Sequence, residues 1–267
     1  MLGISAGDPS FRDDDGSANP LVAAALASFG AARGSEHAVL TALAGSRLLV
    51  PVVAVLADEP DAPGEPDGPD DLDQKAAPAG RLRSVAEGEK ASDMAMPTLV
   101  GLDGRRAIPA FTGLPSLKHW QADARPVPVQ ARAVWQTACA GDSAVVVDVA
   151  GPVPFAVEGA RLAALAAGAE PPLPHDDPDV REIVASVLAG HLDVASFELE
   201  PGGEEHDLGI VLTLAERPGR PGRPGRPENL DVASLGGQVI EAIMARLGSR
   251  LRRGVQIWLS EPEPSTD

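Results

Sequence analysis

Polar side chains crowd the two ends of one predicted hairpin. The stretch SDMAMPTLVGLDGRRAIPAFTG reads as strands Met96–Leu102 and Arg106–Phe111, joined by the tight-turn dipeptide Asp103-Gly104. The polar residues at its entry and tip are Lys90, Ser92, Asp93, Asp103, Arg105 and Arg106. This mixture of donors and acceptors suits a small anionic ligand or a peptide partner, although solvated turns are polar as well. These six residues are the predicted binding site.

A second polar group has residue types that can hold a divalent metal. His175-Asp176-Asp177 with Asp179 offers one imidazole and several carboxylates. The surrounding prolines favour another interpretation, in which Asp177 caps a helix that begins at Pro178. The sequence contains no phosphate-binding loop, dinucleotide glycine fingerprint, nucleophile elbow or paired-histidine motif. It therefore assigns no catalytic residue, no metal site and no cofactor.

Cysteine and arginine residues have simple structural interpretations. Cys139 falls beside Val134 and Trp135 on the apolar side of a predicted helix, which indicates a small buried hydrophobic side chain rather than a nucleophile. Four arginines gather near the end of a long predicted helix, where cations offset the helix dipole. They are Arg246, Arg250, Arg252 and Arg253.

Two biased segments interrupt the regular pattern. Residues 57–88 are acidic and rich in proline, so they indicate a disordered insertion or, as the alternative, an acidic docking tract. Residues 217–227, RPGRPGRPGRP, indicate a solvated loop. The same repeat can also bind an acidic partner, dock in an aromatic groove or contact the acidic insertion.

Composition limits the classes of partner. The net charge of −17 opposes general affinity for nucleic acid or anionic membranes. One cysteine excludes an intrachain disulfide and fits a reducing cytoplasm. The first 16 residues lack the features of a secretory signal, and the longest apolar run is too short to span a bilayer. We expect a cytoplasmic protein with an unidentified protein partner.

Helical and strand patterns predict an α/β (α+β) protein of two units. A mobile arm, residues 1–18, precedes a first domain, residues 19–168, in which helices pack on a mixed sheet. The apolar strand Leu48–Leu56 contains Pro51, which predicts an edge strand or a bulge. Residues 169–178 read as a linker, and residues 179–260 as a smaller αββαβ sandwich domain.

The order of these segments resembles a known family. NPLVAAALASF, then SRLLVPVVAVL, an acidic insertion and SDMAMPTLVGLDGRRAIPAFTGLPSL are similar to the SseB family (enhanced-serine-sensitivity proteins), in particular its high-GC bacterial branch. VVVDVAGPVPFAVEGARLAAL resembles the end of that family's N-terminal domain, so the likeness covers about residues 19–168. The αββαβ unit is similar to the family's second domain in outline. The resemblance implies a soluble bacterial α/β protein and supplies no catalytic residue or cofactor.

Three functional hypotheses follow. The first is a non-enzymatic interaction or regulatory protein that presents a surface near the hairpin. The second is a small-ligand sensor that uses the same polar cluster. The third is an enzyme, metal-assisted at His175 and Asp179.

Overall fold

Local capping signals define where the helices begin and end. The computed structural model describes residues 11–55, 93–215 and 232–260, and the sets of helices and strands below refer to these ranges. Asn19 and Ser35 accept hydrogen bonds from the first turns of α1 (Pro20–Gly30) and α2 (Glu36–Ala44), as their residue types predict. Gly168 ends a later helix in the left-handed conformation that favours glycine.

The first unit alternates helices with short strands. After α2 the chain forms β1 (Arg47–Val55), β2 (Asp93–Ala95), β3 (Leu99–Val100), β4 (Arg106–Ala110), α3 (Leu114–Trp120), β5 (Arg125–Gln130), α4 (Ala131–Ala140), β6 (Ala144–Val147), β7 (Phe155–Val157) and α5 (Gly159–Ala167). One sheet has the order β2-β1-β5 and the other β3-β4-β6-β7, in which only β4 and β6 are parallel. Backbone hydrogen bonds between Leu49 and Phe111 connect the two sheets.

Strand β1 is not the edge strand that Pro51 predicted. β1 is central, paired with β5 along residues 47–52 and with β2 along residues 53–55. The N–H and C=O of Leu49 are directed away from β5 and bond to Phe111. Backbone groups two residues apart in a strand point the same way, so the backbone nitrogen and carbonyl of Pro51 are also directed away from β5. Pro51 opposes Pro126, and Pro128 opposes Leu49. All three prolines therefore occupy ladder positions that need no donor across the β1–β5 pair.

The hairpin is present, but its loop is longer than predicted. β3 pairs with the start of β4 through Leu99–Ala107 and Val100–Arg106. Residues 101–105 form the connection, in which Gly101 N–H donates to the Arg105 carbonyl at 2.8 Å and Gly104 has φ +80°. The Asp103 carboxylate accepts from Arg105 N–H at 3.1 Å. The prediction of a two-residue turn was wrong because this side chain closes a wider loop.

Two other expectations need correction. Cys139 is exposed, because the buried face of α4 is made by Ala131, Val134, Trp135 and Ala138. Within the predicted arm, the described residues 11–18 lie against the first unit. Arg47 donates to the Asp14 carboxylate at 2.8 Å and to the Ser17 carbonyl.

The second unit forms the expected αββαβ order. It consists of α6 (Pro178–Leu188), β8 (Val194–Pro201), β9 (Leu208–Leu214), α7 (Val232–Leu247) and β10 (Val255–Ser260). β9 is central, antiparallel to β8 and parallel to β10. Its core is a cluster separate from that of the first unit. The acidic insertion and the arginine-proline repeat lie outside the described residues.

Helices and sheets together confirm the α/β class. The larger core packs α1, α2, α4 and α5 around strands of both sheets. Trp135 is fully buried there, and Phe29 meets Phe155 edge-on at 5.4 Å. Among the described residues, no helix is long and apolar enough to cross a bilayer.

The core predicts a large cost for truncating Trp135. We expect Trp135→Ala to lower the free energy of unfolding by about 3–5 kcal/mol, because a large enclosed side chain leaves a cavity. Denaturant titration measures this loss. Leu192→Ala, at a leucine that is 90% exposed, is the control and should change stability by no more than about 0.5 kcal/mol. Equal effects would contradict the assignment of Trp135 to the core.

Candidate functional site

Loop residues of the hairpin form one wall of a shallow groove. Arg105 donates to Asp103 in the same loop and to Glu158, just before α5, at 2.7 Å. The pKa of Arg105 is raised, chiefly by its hydrogen bond to Asp103 and also by attraction to Glu158. The pKa of Asp103 is lowered by the hydrogen bonds that it accepts from Arg105. The groove, of about 600 Å³, is lined by Gly104, Arg105, Arg106, Cys139, Asp142, Ser143, Ala144, Glu158, Gly159 and Leu162.

Only part of the predicted polar cluster meets in this groove. Arg105 and Arg106 line it, and Asp103 adjoins through its bond to Arg105. The backbone of Asp93 lies on β2 in the other sheet, opposite Val55. Lys90 and Ser92 lie outside the described residues. Cys139 also lines the groove. Although the residue is exposed, partial removal of its thiol from water raises the pKa of that thiol, which favours the protonated form.

Four buried or nearly buried charges connect the two units. Glu36 begins α2 and is 3% exposed, whereas Asp177 caps α6 and is fully buried. Arg161 of α5 donates to Glu36. Arg250, just after α7, donates to both Glu36 oxygens at 3.0–3.1 Å and to Asp177. We call Glu36, Arg161, Asp177 and Arg250 the charged junction.

The two arginines of the charged junction differ in their surroundings. Burial opposes the charge of Arg250, but hydrogen bonds and attraction from Glu36 and Asp177 outweigh it and raise its pKa. Burial lowers the pKa of Arg161, which attraction to Glu36 offsets only in part. Arg161 is 2% exposed, and its Nε has no hydrogen-bond partner among the described residues. Arg161 is therefore the less compensated cation.

The metal-site motif is divided among other roles. The Asp179 carboxylate accepts from Ala160 N–H at 2.8 Å and so caps α5 of the other unit. Asp177 serves as a helix cap and binds Arg250, and His175 contacts Asp176 at 3.3 Å. Within the described ranges, no group of three or more His, Cys, Asp or Glu residues could hold a metal ion.

Arginines near the end of α7 make specific contacts that the dipole interpretation missed. Besides Arg250, Arg253 donates to Asp207 at 2.8 Å, and Arg246 donates to the Ser186 hydroxyl. The Arg252 guanidinium lies 5.3 Å from the centre of the Phe29 ring, in the first unit. The signal in the sequence was a cluster of arginines, but its partners became visible only in the fold.

A test of the charged junction is Glu36→Gln. Removing this carboxylate leaves Arg161 and Arg250 buried with one negative partner fewer, so we expect the free energy of unfolding to fall by about 3–5 kcal/mol. Denaturant titration measures the loss, with the exposed Glu198→Gln as a control of the same chemistry. Equal stability of the two variants would show that the junction does not hold the units together.

A test of the cap between the units is Gly159→Ala. Gly159 has φ +61°, and an added Cβ would lie 1.9 Å from the Asp179 Oδ2. We expect a loss of about 1–3 kcal/mol in stability from backbone strain and displacement of the cap. Gly45→Ala is the matched control, since nothing lies within 4 Å of its added Cβ. A Gly159→Ala protein as stable as the control would refute this geometry.

Comparison with known proteins identifies the family of the first unit. The family model described as SseB protein N-terminal domain matches residues 22–164, more than half of the chain. No curated protein and no solved structure gives a significant match. The matched residues begin within α1, include the hairpin and the groove, and end within α5. The high-GC branch and the likeness of the second unit to the family's second domain stay predictions. The chain belongs to the SseB family.

Proposed function

We propose that this protein is a non-enzymatic protein-binding protein with a regulatory or linking role, and that its hairpin carries the main contact. The supporting observation is the exposure of two apolar side chains at the loop. Val100 is 64% exposed and Leu102 is fully exposed. Contact of large apolar side chains with water is unfavourable, so covering Val100 and Leu102 makes the free energy of binding a partner more favourable.

The charges at the loop support a partner that carries carboxylates. Arg105 forms ion pairs with two carboxylates, those of Asp103 and Glu158. Arg106 is exposed and forms no ion pair with a described residue. The exposed, unpaired Arg106 beside two apolar side chains fits a partner segment that carries a carboxylate next to apolar residues.

The position of β3 favours an extended partner. β3 is an outer strand of its sheet and pairs only with β4 among the described strands. Its free edge offers backbone groups to which another strand can add. The proposed partner is therefore an extended, acidic and apolar protein segment.

The two other hypotheses have less support. A sensor built on the six polar residues needs them to converge, whereas Asp93 lies in the other sheet. A metal-assisted enzyme at His175 and Asp179 needs free ligands, whereas Asp179 caps α5.

Affinity capture tests the proposed function. The full chain is immobilised as bait, together with Leu102→Ser, Arg106→Glu and the control Leu192→Ser, which changes an exposed leucine of the second unit. We expect a protein that the unchanged chain and the control retain, and that both hairpin variants retain at least about tenfold less. The purified pair should reproduce this order of affinity.

Two results would contradict the proposed function. Retention of the same proteins at the same level by all four baits would refute the hairpin as the contact. Recovery of nothing above the bead background would refute the protein-binding role itself.

A further inference from the structure

A cleft of about 440 Å³ lies between the two units. Its lining comes from α2, β6, β7 and α5 of the first unit, and from α6, the end of α7 and the residues just after α7 of the second. Four arginines line it: Arg161, Arg246, Arg250 and Arg252. A volume of several hundred Å³ is typical of small-molecule sites.

The carboxylates of the cleft already have partners. Glu36 accepts from Arg161 and Arg250. Glu158 accepts from Arg105, which lies outside the cleft. Asp179 accepts from the N-terminus of α5, whose dipole favours a negative charge. These carboxylates therefore leave little negative charge for the remaining cations.

Two of the arginines have no carboxylate partner among the described residues. Arg246 donates to the neutral hydroxyl of Ser186, and Arg252 lies over the ring of Phe29. Both side chains are exposed, so a solute can reach them. The buried Arg161, also in the lining, has its Nε without a hydrogen bond to any described residue.

We propose that the cleft binds a small organic oxyanion, a metabolite that carries a carboxylate or phosphate group, through Arg246 and Arg252. Guanidinium groups form paired hydrogen bonds with carboxylate and phosphate groups. The site contains residues of both units, so a bound anion joins them. This proposal goes beyond the protein-binding role and does not depend on the hairpin.

The large net negative charge of the chain does not prevent such binding. At physiological salt, interactions between exposed charges are screened beyond about 8 Å. Arg246 and Arg252 have no carboxylate partner among the described residues, so they supply the local attraction for an anion in the cleft. Higher salt should weaken the binding, because Arg246 and Arg252 are exposed.

Thermal unfolding with simple anions tests the proposal. The full chain is unfolded in sodium phosphate, sodium citrate or sodium chloride at equal ionic strength and pH. We expect phosphate or citrate to raise the midpoint above that in chloride, and to raise it further with concentration, since a ligand of the native state stabilises it. The phosphate and citrate arms distinguish phosphorylated from carboxylated ligands.

Charge-removing variants locate the site. We expect Arg246→Gln and Arg252→Gln to weaken the apparent affinity for the stabilising anion about tenfold or more, as for loss of a hydrogen bond to a charged group. Arg125→Gln, at an exposed arginine of β5 outside the cleft, is the control and should bind as the unchanged chain does. Direct titration by calorimetry gives the affinities even where a variant is less stable.

Two results would overturn the proposal. One is the same unfolding midpoint in all three salts at every concentration. The other is an anion effect that Arg246→Gln and Arg252→Gln reduce no more than Arg125→Gln does.

Discussion

Two carboxylates, Glu36 and Asp177, are almost wholly removed from water, and both accept hydrogen bonds from arginine side chains. A buried ion without its partner costs several kcal/mol, whereas a well-bonded group of opposite charges offsets most of that cost. Arg250 meets this need from the second unit by contacting both carboxylates. Because the guanidinium fork fixes the direction of its hydrogen bonds, the charged junction also fixes the orientation of α7 toward α2 and α6. The shape of the cleft follows from that orientation.

The start of α5 contributes to both the hairpin groove and the cleft between the units. Glu158 and Gly159 line the hairpin groove and the cleft between the units. On one side Glu158 holds Arg105, and on the other Asp179 caps the helix immediately beside Gly159. A displacement of this short segment therefore changes the walls of both depressions together. The family match includes this segment, whereas Asp179 and the arginines of α7 follow it in the chain.

Features encoded by neighbouring residues were predictable, and features that need distant residues were not. The cap at Asp177 was read correctly because its carboxylate and the backbone N–H that donates to it lie two residues apart. The same sequence gave no sign that Asp177 also binds Arg250, which is 73 residues away. Cys139 was misplaced because helical spacing alone does not define the edge of a buried face.

The candidate site shows the same limit. Arg105 and Arg106 were selected because polar residues punctuate a hairpin, and they do line a groove. Asp93 was grouped with them by its closeness in sequence, yet it pairs with β1 in another sheet. The cleft was missed, because its arginines and its acidic residues come from four separate stretches of the chain. Only the folded arrangement shows which charges are compensated.

The three prolines of the β1–β5 ladder restrict how these strands can align. If the pairing of β1 with β5 shifts by one residue, one of the two strands has to turn over. The backbone nitrogen of Pro51, or those of Pro126 and Pro128, would then face the partner strand. Proline has no N–H to donate there, and each buried acceptor left without a partner costs about 1–3 kcal/mol. The spacing of the prolines thus selects against misaligned pairing, and it does so through the bonds that the wrong alignment cannot make.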